Sequence, residues 1–309
     1  MRRGWIVGSG LLGLFLLPVL AKGQVLFSYD LVVTGKLVIN SNDVQGTTFV
    51  NNLETEGQPI FATSGFGASV DTLNVAGAVT LGNSGDGLTM DSGTFVHHGA
   101  LPNGTQLVLN GNSTSVTNPS LSITSLVNQM TSMANYYNTL TATSVSPSGN
   151  SLTFNPAGTG LDVYTVTAAN LASQNLGVTI NLANSSQAIL IEVTGSSFEF
   201  GSSEHINVNA PNGDSTPDSQ ILWYFPTATT VTEDDSEWYG ALFAPDATLT
   251  DNNQDMMGGV YVQNFTETAE VHVPTPSSLF DAPVPEPTSL LLLIGATGWA
   301  GLRRPRRAR

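Results

Sequence analysis

"VTGKLVI" (Val33–Ile39) and "VAGAVTL" (Val75–Leu81) lie 42 residues apart and run in parallel. Apolar residues alternate along both, the period of a β-strand. A second pair, "GALFA" (Gly240–Ala244) and "GVYVQ" (Gly259–Gln263), recurs 19 residues apart. Between such runs stand Gly, Asn and Asp turns. A spacing near 20, and twice that, fits the coils of a β-solenoid. One coil cannot bury its apolar face alone, so coils stack. The fold expected is mainly β, solenoid or β-helix-like, with a β-sandwich as the alternative.

One segment departs from this period. From Pro119 to Leu140, the residues Ile123, Leu126, Val127, Met130, Met133, Ala134, Tyr137 and Leu140 fall on one helical face. Ser120 or Ser122 is placed to cap its start. The spacing predicts one amphipathic helix over about 119–141, laid on the solenoid's flank. Its Met and Tyr stripe reads as core packing.

Charge is unevenly placed along the 309 residues. Lys36 is the one Lys or Arg between Gly23 and Leu302, whereas all 24 acids lie between Asp30 and Glu286. Phosphate contacts need Lys and Arg, so nucleic acid is excluded as a partner. Cysteine is absent, which removes disulfides, thiolate nucleophiles and Cys-metal sites.

The two ends are different again. Arg2 and Arg3, then an uncharged and mostly apolar run to Leu20, then small residues near Ala21 and Gly23, read as a signal peptide over 1–23. This implies Sec-type export machinery as a partner; an uncleaved anchor is the alternative. Residues 24–281 form the β domain and 282–309 a separate tail. That tail begins with Val284, Pro285, Glu286 and Pro287, continues as an apolar run over 289–302, and ends on Arg303, Arg304, Arg306, Arg307 and Arg309. Arginines beside a span stay on the cytoplasmic side, which leaves the acidic body outside.

This three-part tail closely resembles the PEP-CTERM sorting signal. The resemblance implies that an exosortase, an integral membrane protease, recognises Pro-Glu-Pro and removes the tail. It further implies a transient inner-membrane anchor, then the cell surface or an extracellular matrix of polysaccharide or biofilm. The body resembles the choice-of-anchor A domain. The matching stretches are "NDVQGTTFVNNL" (Asn42–Leu53), "LDVYTVTAANL" (Leu161–Leu171), "ILWYFPTATTVT" (Ile221–Thr232), "WYGALFAPDATLT" (Trp238–Thr250) and "GGVYVQNFTETAEVHVPTP" (Gly258–Pro276). That resemblance implies an exported adhesive module, and it brings no catalytic residues.

Candidate chemistry is sparse. The four histidines are His97, His98, His205 and His272, and adjacent strand side chains point to opposite faces. A lyase would want a basic residue that the body lacks apart from Lys36. A glycosidase needs two carboxylates, so a carbohydrate-active enzyme using a carboxylate pair is the alternative function. Glu233, Asp234, Asp235, Glu237, Asp246, Asp251 and Asp255 form the densest acidic region, and hard oxygen ligands suit Ca²⁺. A solvated acidic face is the other reading of that cluster. Trp223, Tyr224, Trp238 and Tyr239 lie close by, and alternation is expected to expose one of each pair to surface glycans. A binder of ice or mineral surfaces would need a flat, regular threonine array, for which "TATTVT" (Thr227–Thr232) is short.

Overall fold

The computed structural model describes residues 26–281, apart from Gln174, Ser202, residues 211–216, Asp235 and Asn253. The expected leader and the whole sorting tail, Val284 to Pro287 and the five arginines included, lie outside the described residues.

The chain winds as a three-faced β-solenoid whose strand ladders are all parallel. The largest sheet supplies two faces, because its long strands bend across a corner. Along one face the order is Thr114–Thr117, Thr94–His97, Asp71–Val75, Thr48–Thr55, Leu31–Ile39, Val260–Glu267, Ala241–Asn252, Ile221–Tyr224, Gln187–Thr194, Gly160–Thr167 and Thr143–Ser144. Two smaller sheets, of seven and three strands, form the third face. The path therefore starts mid-stack and winds out to one end. It crosses to the other end through helix α1 (Thr124–Tyr137) and winds back until Val260–Glu267 pairs with Leu31–Ile39.

The register explains the paired stretches. Val33 pairs with Val50 and Val50 with Val75; likewise Ile39 pairs with Thr55 and Thr55 with Leu81. The 42-residue interval is thus two coils, in register. The shared glycines mark the corner between the first two faces. A Cβ on Gly35 would lie 2.4 Å from Asn264 Oδ1, and one on Gly77 would lie 2.5 Å from Asn52 Oδ1. Those side chains occupy the room that glycine leaves. Asn264 Oδ1 accepts from Lys36 N at 3.0 Å, and Asn52 Oδ1 accepts from Ala78 N at 3.0 Å. Each asparagine caps the corner of the adjoining coil, where the ladder's own hydrogen bonds lapse.

The later pair is one residue out of register. Leu242 pairs with Val260, an offset of 18 where the motif spacing is 19. Gly240 corresponds to Gly258, not Gly259: Gly258 sits at φ 148°, and a Cβ there would lie 2.7 Å from the Gly240 carbonyl carbon. The consecutive glycines at 258 and 259 conceal the true match.

Inward residues make one long apolar core. The outer side of the first face is apolar as well: Val32, Phe49, Leu190, Tyr224, Phe243 and Tyr261 form a second cluster with Leu126, Met130, Met133 and Tyr137 of α1. A parallel sheet covered on both sides reads as near-continuous apolar runs. The helix is shorter than the 119–141 expected, running Thr124–Tyr137, and Ser122 Oγ accepts from Thr124 N. Val127, expected on its buried face, is exposed. A second, short helix, α2 (Ala168–Leu171), stands where one coil would otherwise add a strand to the second face.

The closure between first and last coils rests on Asp30. Its carbonyl accepts from Val260 N at 2.7 Å, and its Oδ2 accepts from Thr47 N at 2.7 Å. The carboxyl is 4 % exposed, Oδ1 has no hydrogen-bond partner, and burial pushes it up to about 6 despite the Thr47 hydrogen bonds.

Two outcomes are expected. Phe243 stacks edge-on against Tyr137 at 5.7 Å, so Phe243→Ala should cost about 3–5 kcal/mol in urea unfolding, with Val127→Ala within about 1 kcal/mol. A small loss at Phe243 would mean that α1 is not docked there. For Asp30, the folded state holds its proton more tightly than the unfolded state, so its contribution is favourable at acid pH and is lost as pH rises from about 4 through about 6. Relative to wild type, Asp30→Asn should gain about 1–3 kcal/mol across that window and stay level above it. A difference between the two proteins that does not vary with pH would refute this.

Candidate functional site

Two outward surfaces are regular and polar. On the second face, Ser197, Thr230, Thr248 and Asn264 pair successively, as do Glu199, Thr232, Thr250 and Thr266. Rows repeat at about 4.8 Å, and the two columns stand two residues, about 7 Å, apart along each strand. At the edge of this face, where α2 replaces a strand, an open hollow of about 400 Å³ is lined by Ala168, Ala169, Ala172, Ser197, Phe198, Glu199, Thr230 and Thr232.

On the third face, the strands Ser151–Phe154, Gly177–Asn181 and His205–Asn209 turn Leu152, Val178 and Ile206 inward. Thr153, Thr179 and Asn207 form one outward column. Beside it, Asn209 Nδ2 donates to Asn181 Oδ1 at 2.7 Å, and Asn181 Nδ2 donates to Asn155 Oδ1 at 2.8 Å. This amide ladder leads into a hollow of about 290 Å³ lined by Asn207, Asn209, Asp218 and Tyr239, among others. The Tyr239 hydroxyl donates to Glu237 Oε2 at 2.5 Å.

The acidic region is built differently from an exposed cluster. In three successive coils the sequence reads apolar–Thr–acid: Val231-Thr232-Glu233, Leu249-Thr250-Asp251 and Phe265-Thr266-Glu267. Strand alternation turns Thr outward, and the apolar residue and the acid inward. Glu233 pairs with Asp251, and the pairing of Thr250 with Thr266 sets Asp251 beside Glu267. Beyond these acids the same inward row continues as Phe200 on one side and as Ile39 and Thr55 on the other. The acids are 1 %, 0 % and 0 % exposed. Glu233 Oε1 accepts from Ser236 N at 2.8 Å, whereas Glu233 Oε2 and both oxygens of Asp251 have no hydrogen-bond partner among the described residues. Neither oxygen of Glu267 has a partner among the described residues. Burial pushes all three carboxyls up, and the neighbouring acids add to the shift on Glu233 and Glu267.

Of the residues singled out from sequence, the structure brings Glu233 and Asp251 together. Asp234 is half-buried on the alternate side of its strand; Glu237 and Asp246 are exposed. Asp235 lies outside the described residues. Asp255 joins a separate group at the corner, with Glu270 and His272, whose ligand atoms lie within 4.8 Å of one another. His272 Nε2 is 3.3 Å from both Asp255 Oδ2 and Glu270 Oε2, and its Nδ1 is 2.6 Å from Gln45 Nε2. The sequence does not single out Glu267 or Glu270, and it shows His272 only as one of four histidines. The signal for Glu267 was available as the thrice-repeated apolar–Thr–acid triplet.

The remaining candidates are structural. His97 is buried between Gly99 O at 2.6 Å and Ser115 Oγ at 3.1 Å, and His98 is exposed. Trp223 and Tyr224 are both buried, against the expectation that one of the pair would face solvent. Tyr224 does point outward, but α1 covers it, and its hydroxyl donates to Asn138 Oδ1 at 2.9 Å. Trp238 packs inside against Trp223 at 5.1 Å. Tyr239 alone of the four retains exposed surface.

Comparison with known proteins gives one family and several solved structures. The family described as "Putative Ice-binding-like adhesive domain" matches residues 23–273. No curated protein sequence matches the chain. Among solved structures, an ice-binding protein from an Antarctic biological consortium is 13 % identical over 79 % of this chain and 85 % of that one, with a TM-score of 0.42. The glycosylated ice-binding protein LeIBP from an Arctic yeast is 13 % identical over 86 % and 95 %, with a TM-score of 0.39. An ice-binding protein from the ascomycete Antarctomyces psychrotrophicus is 12 % identical over 81 % and 96 %, with a TM-score of 0.37.

Proposed function

The chain belongs to the ice-binding-like adhesive domain family, and on that premise we propose that it is a surface adhesin that holds extracellular polysaccharide on its flat polar faces. The observation that carries this reading is the outward amide ladder Asn155–Asn181–Asn209, which runs into the hollow beside Tyr239. Rows of fixed amide donors and acceptors suit a hydroxyl-rich chain, and an aromatic ring with a polar tip suits an amphipathic sugar face. Binding by a repeated surface gains strength from many weak contacts along one polymer. With 23 acids against Lys36, the body over 24–281 repels anionic polymers in general, so a neutral glycan is the ligand class.

Delivery follows from the two ends. The leader over 1–23 takes the chain through the export machinery. The Val284–Pro287 motif and the arginines Arg303, Arg304, Arg306, Arg307 and Arg309 present it to an exosortase, which leaves the β domain in the cell-surface matrix or biofilm. Catalysis is not part of this reading. A glycosidase sets two carboxylates across its cleft, whereas the two hollows have one each, Glu199 and Asp218, and Glu233 and Asp251 are sealed inside.

A second reading, ice or another ordered surface, draws on a different observation: the paired columns Thr230–Thr248 and Thr232–Thr250–Thr266. The two readings separate by mutation. Combined Asn181→Ala and Tyr239→Ala should weaken binding to the host's neutral exopolysaccharide by about tenfold in a sedimentation assay, while Thr250→Tyr leaves it unchanged. If Thr250→Tyr alone abolishes binding, or if the protein inhibits ice recrystallisation and Thr250→Tyr removes that activity, the threonine face is the working surface.

Sorting has its own check. Intact mass of the protein from its native host should lack both ends, and deletion of the exosortase should leave the Arg-rich tail in place. The same tail in both strains would reduce it to a plain anchor and remove the support for matrix delivery.

A further inference from the structure

We propose that Asp255, Glu270 and His272, on the outward side of the third face, form a binding site for one divalent transition-metal ion of the Zn²⁺ type. The inference rests on this corner group alone and is independent of glycan adhesion.

Strand register assembles the group. Val271 turns into the core, so its neighbours Glu270 and His272 both point outward. Val271 pairs with Met256 on one side and with Val44 on the other. Parallel pairing therefore sets Asp255 beside Glu270, and Gln45 beside His272. Two coils supply the carboxylates and the imidazole, and a third supplies the amide. Glu270 N donates to Asp255 Oδ1 at 3.3 Å, which leaves Oδ2 turned toward the imidazole.

The distances select a metal. One ligand atom from each of the three residues lies within 4.8 Å of the other two. His272 Nε2 is 3.3 Å from Asp255 Oδ2 and 3.3 Å from Glu270 Oε2. It is buried, yet neither contact is a hydrogen bond; the atoms stand side by side, as donors do about a shared ion. Zn²⁺ binds His nitrogen and carboxylate oxygen at about 2.0–2.2 Å in a tetrahedron, whose edges are then about 3.3–3.6 Å. Both distances at Nε2 match that edge. Nε2 can ligate when the ring proton sits on Nδ1. That atom is 2.6 Å from the Gln45 side-chain nitrogen. The Gln45 amide, turned over, offers Oε1 to accept from Nδ1–H, the outer partner that a metal-bound histidine keeps.

Charge and access agree with this. Lys36 is the one Lys or Arg of the described chain, and its Nζ is bound to Glu54, so no ammonium or guanidinium competes for the two carboxylates. Asp43 follows Glu270 in the same outward column and adds to the attraction for a cation. The side chains of Asp255 and Glu270 are 45 % and 43 % exposed, which lets an ion reach them from solvent. Imidazole beside carboxylate suits Zn²⁺, whereas Ca²⁺ takes an all-oxygen shell of 6–8 ligands. Three protein ligands leave the fourth tetrahedral position to water. An ion here would clamp the coil of Asp255 to the last coil, next to its seam with the first.

The test uses the full chain, stripped with EDTA and dialysed against ZnCl₂ at neutral pH. Equilibrium dialysis should find one Zn²⁺ per chain. Zn²⁺ at about a hundred times its dissociation constant should raise the unfolding midpoint by about 5–10 °C. His272→Gln should abolish both effects and keep the midpoint that the wild type shows in EDTA. Asp255→Asn combined with Glu270→Gln serves if that variant does not fold. Co²⁺ supplies a readout that needs no mutation: bound here, it should give the strong visible absorption of a four-coordinate ion, lost on adding Zn²⁺. Asp246→Asn, an exposed acid outside the group, should leave the stoichiometry unchanged. Zn²⁺ retained by His272→Gln, or displaced from the wild type by millimolar Ca²⁺, would overturn the proposal. An identical midpoint in EDTA and Zn²⁺, with no bound ion, would overturn it in favour of an ion pair between imidazolium and carboxylates.

Discussion

Register between parallel coils is the constraint from which the rest follows. Each strand must meet the next at one height, because every inward side chain has a neighbour directly above and below it. A one-residue slip would turn the whole apolar set outward. The glycine–asparagine corner helps to hold that height. Gly35 and Gly77 admit Asn264 and Asn52 from adjoining coils, and each asparagine then hydrogen-bonds a corner amide of the coil it enters. The corner therefore acts as a gauge: a coil one residue too long or short would lose both its glycine notch and its amide contact.

With register held, chemistry appears in rows. The same alternation that sends Thr232, Thr250 and Thr266 to solvent sends Glu233, Asp251 and Glu267 to the core, so an outer array and an inner ladder are two sides of one strand pattern. The path compounds this. The first and last coils meet at Leu31 and Val260, and the three acid-bearing strands lie next to that seam. Helix α1 covers the first face alone, leaving the other two free for a ligand.

Much of this was legible in the sequence, for physical reasons. Alternation within a strand is local, so "VTGKLVI" and "VAGAVTL" disclosed both strand character and the two-coil interval. The helix showed itself by its period, although its ends did not: Leu140 continues the apolar spacing, but beyond Asn138 the backbone tightens into turns, Thr139 N donating to Tyr136 O and Leu140 N to Tyr137 O. Pairing of Leu31 with Val260 left no local trace; it spans more than 200 residues and depends on the crossing by α1. The acidic site was read along the chain, where Glu233–Glu237 is densest. The structure gathers acids across coils instead, uniting Glu233 with Asp251 and Glu267 and leaving Glu237 and Asp246 outside. One of Trp223 and Tyr224 was expected at the surface by alternation; Tyr224 is the outward one, and a covering helix buries it.

The mid-stack entry has a mechanical consequence. The chain enters at Leu26 and leaves at Phe280, and both belong to the apolar cluster beneath α1. Leu26 N donates to Gln129 Oε1, and Phe280 O accepts from the Tyr137 hydroxyl. A pull on either end is thus delivered to the waist of the rod, across the helix, and not to an end coil that could unwind turn by turn. Terminal coils are the frayed points of a one-dimensional stack; here they hang unloaded on either side of the attachment, like the arms of a balance. A load carried into the domain at Leu26 or Phe280 is therefore met by the shear strength of its centre.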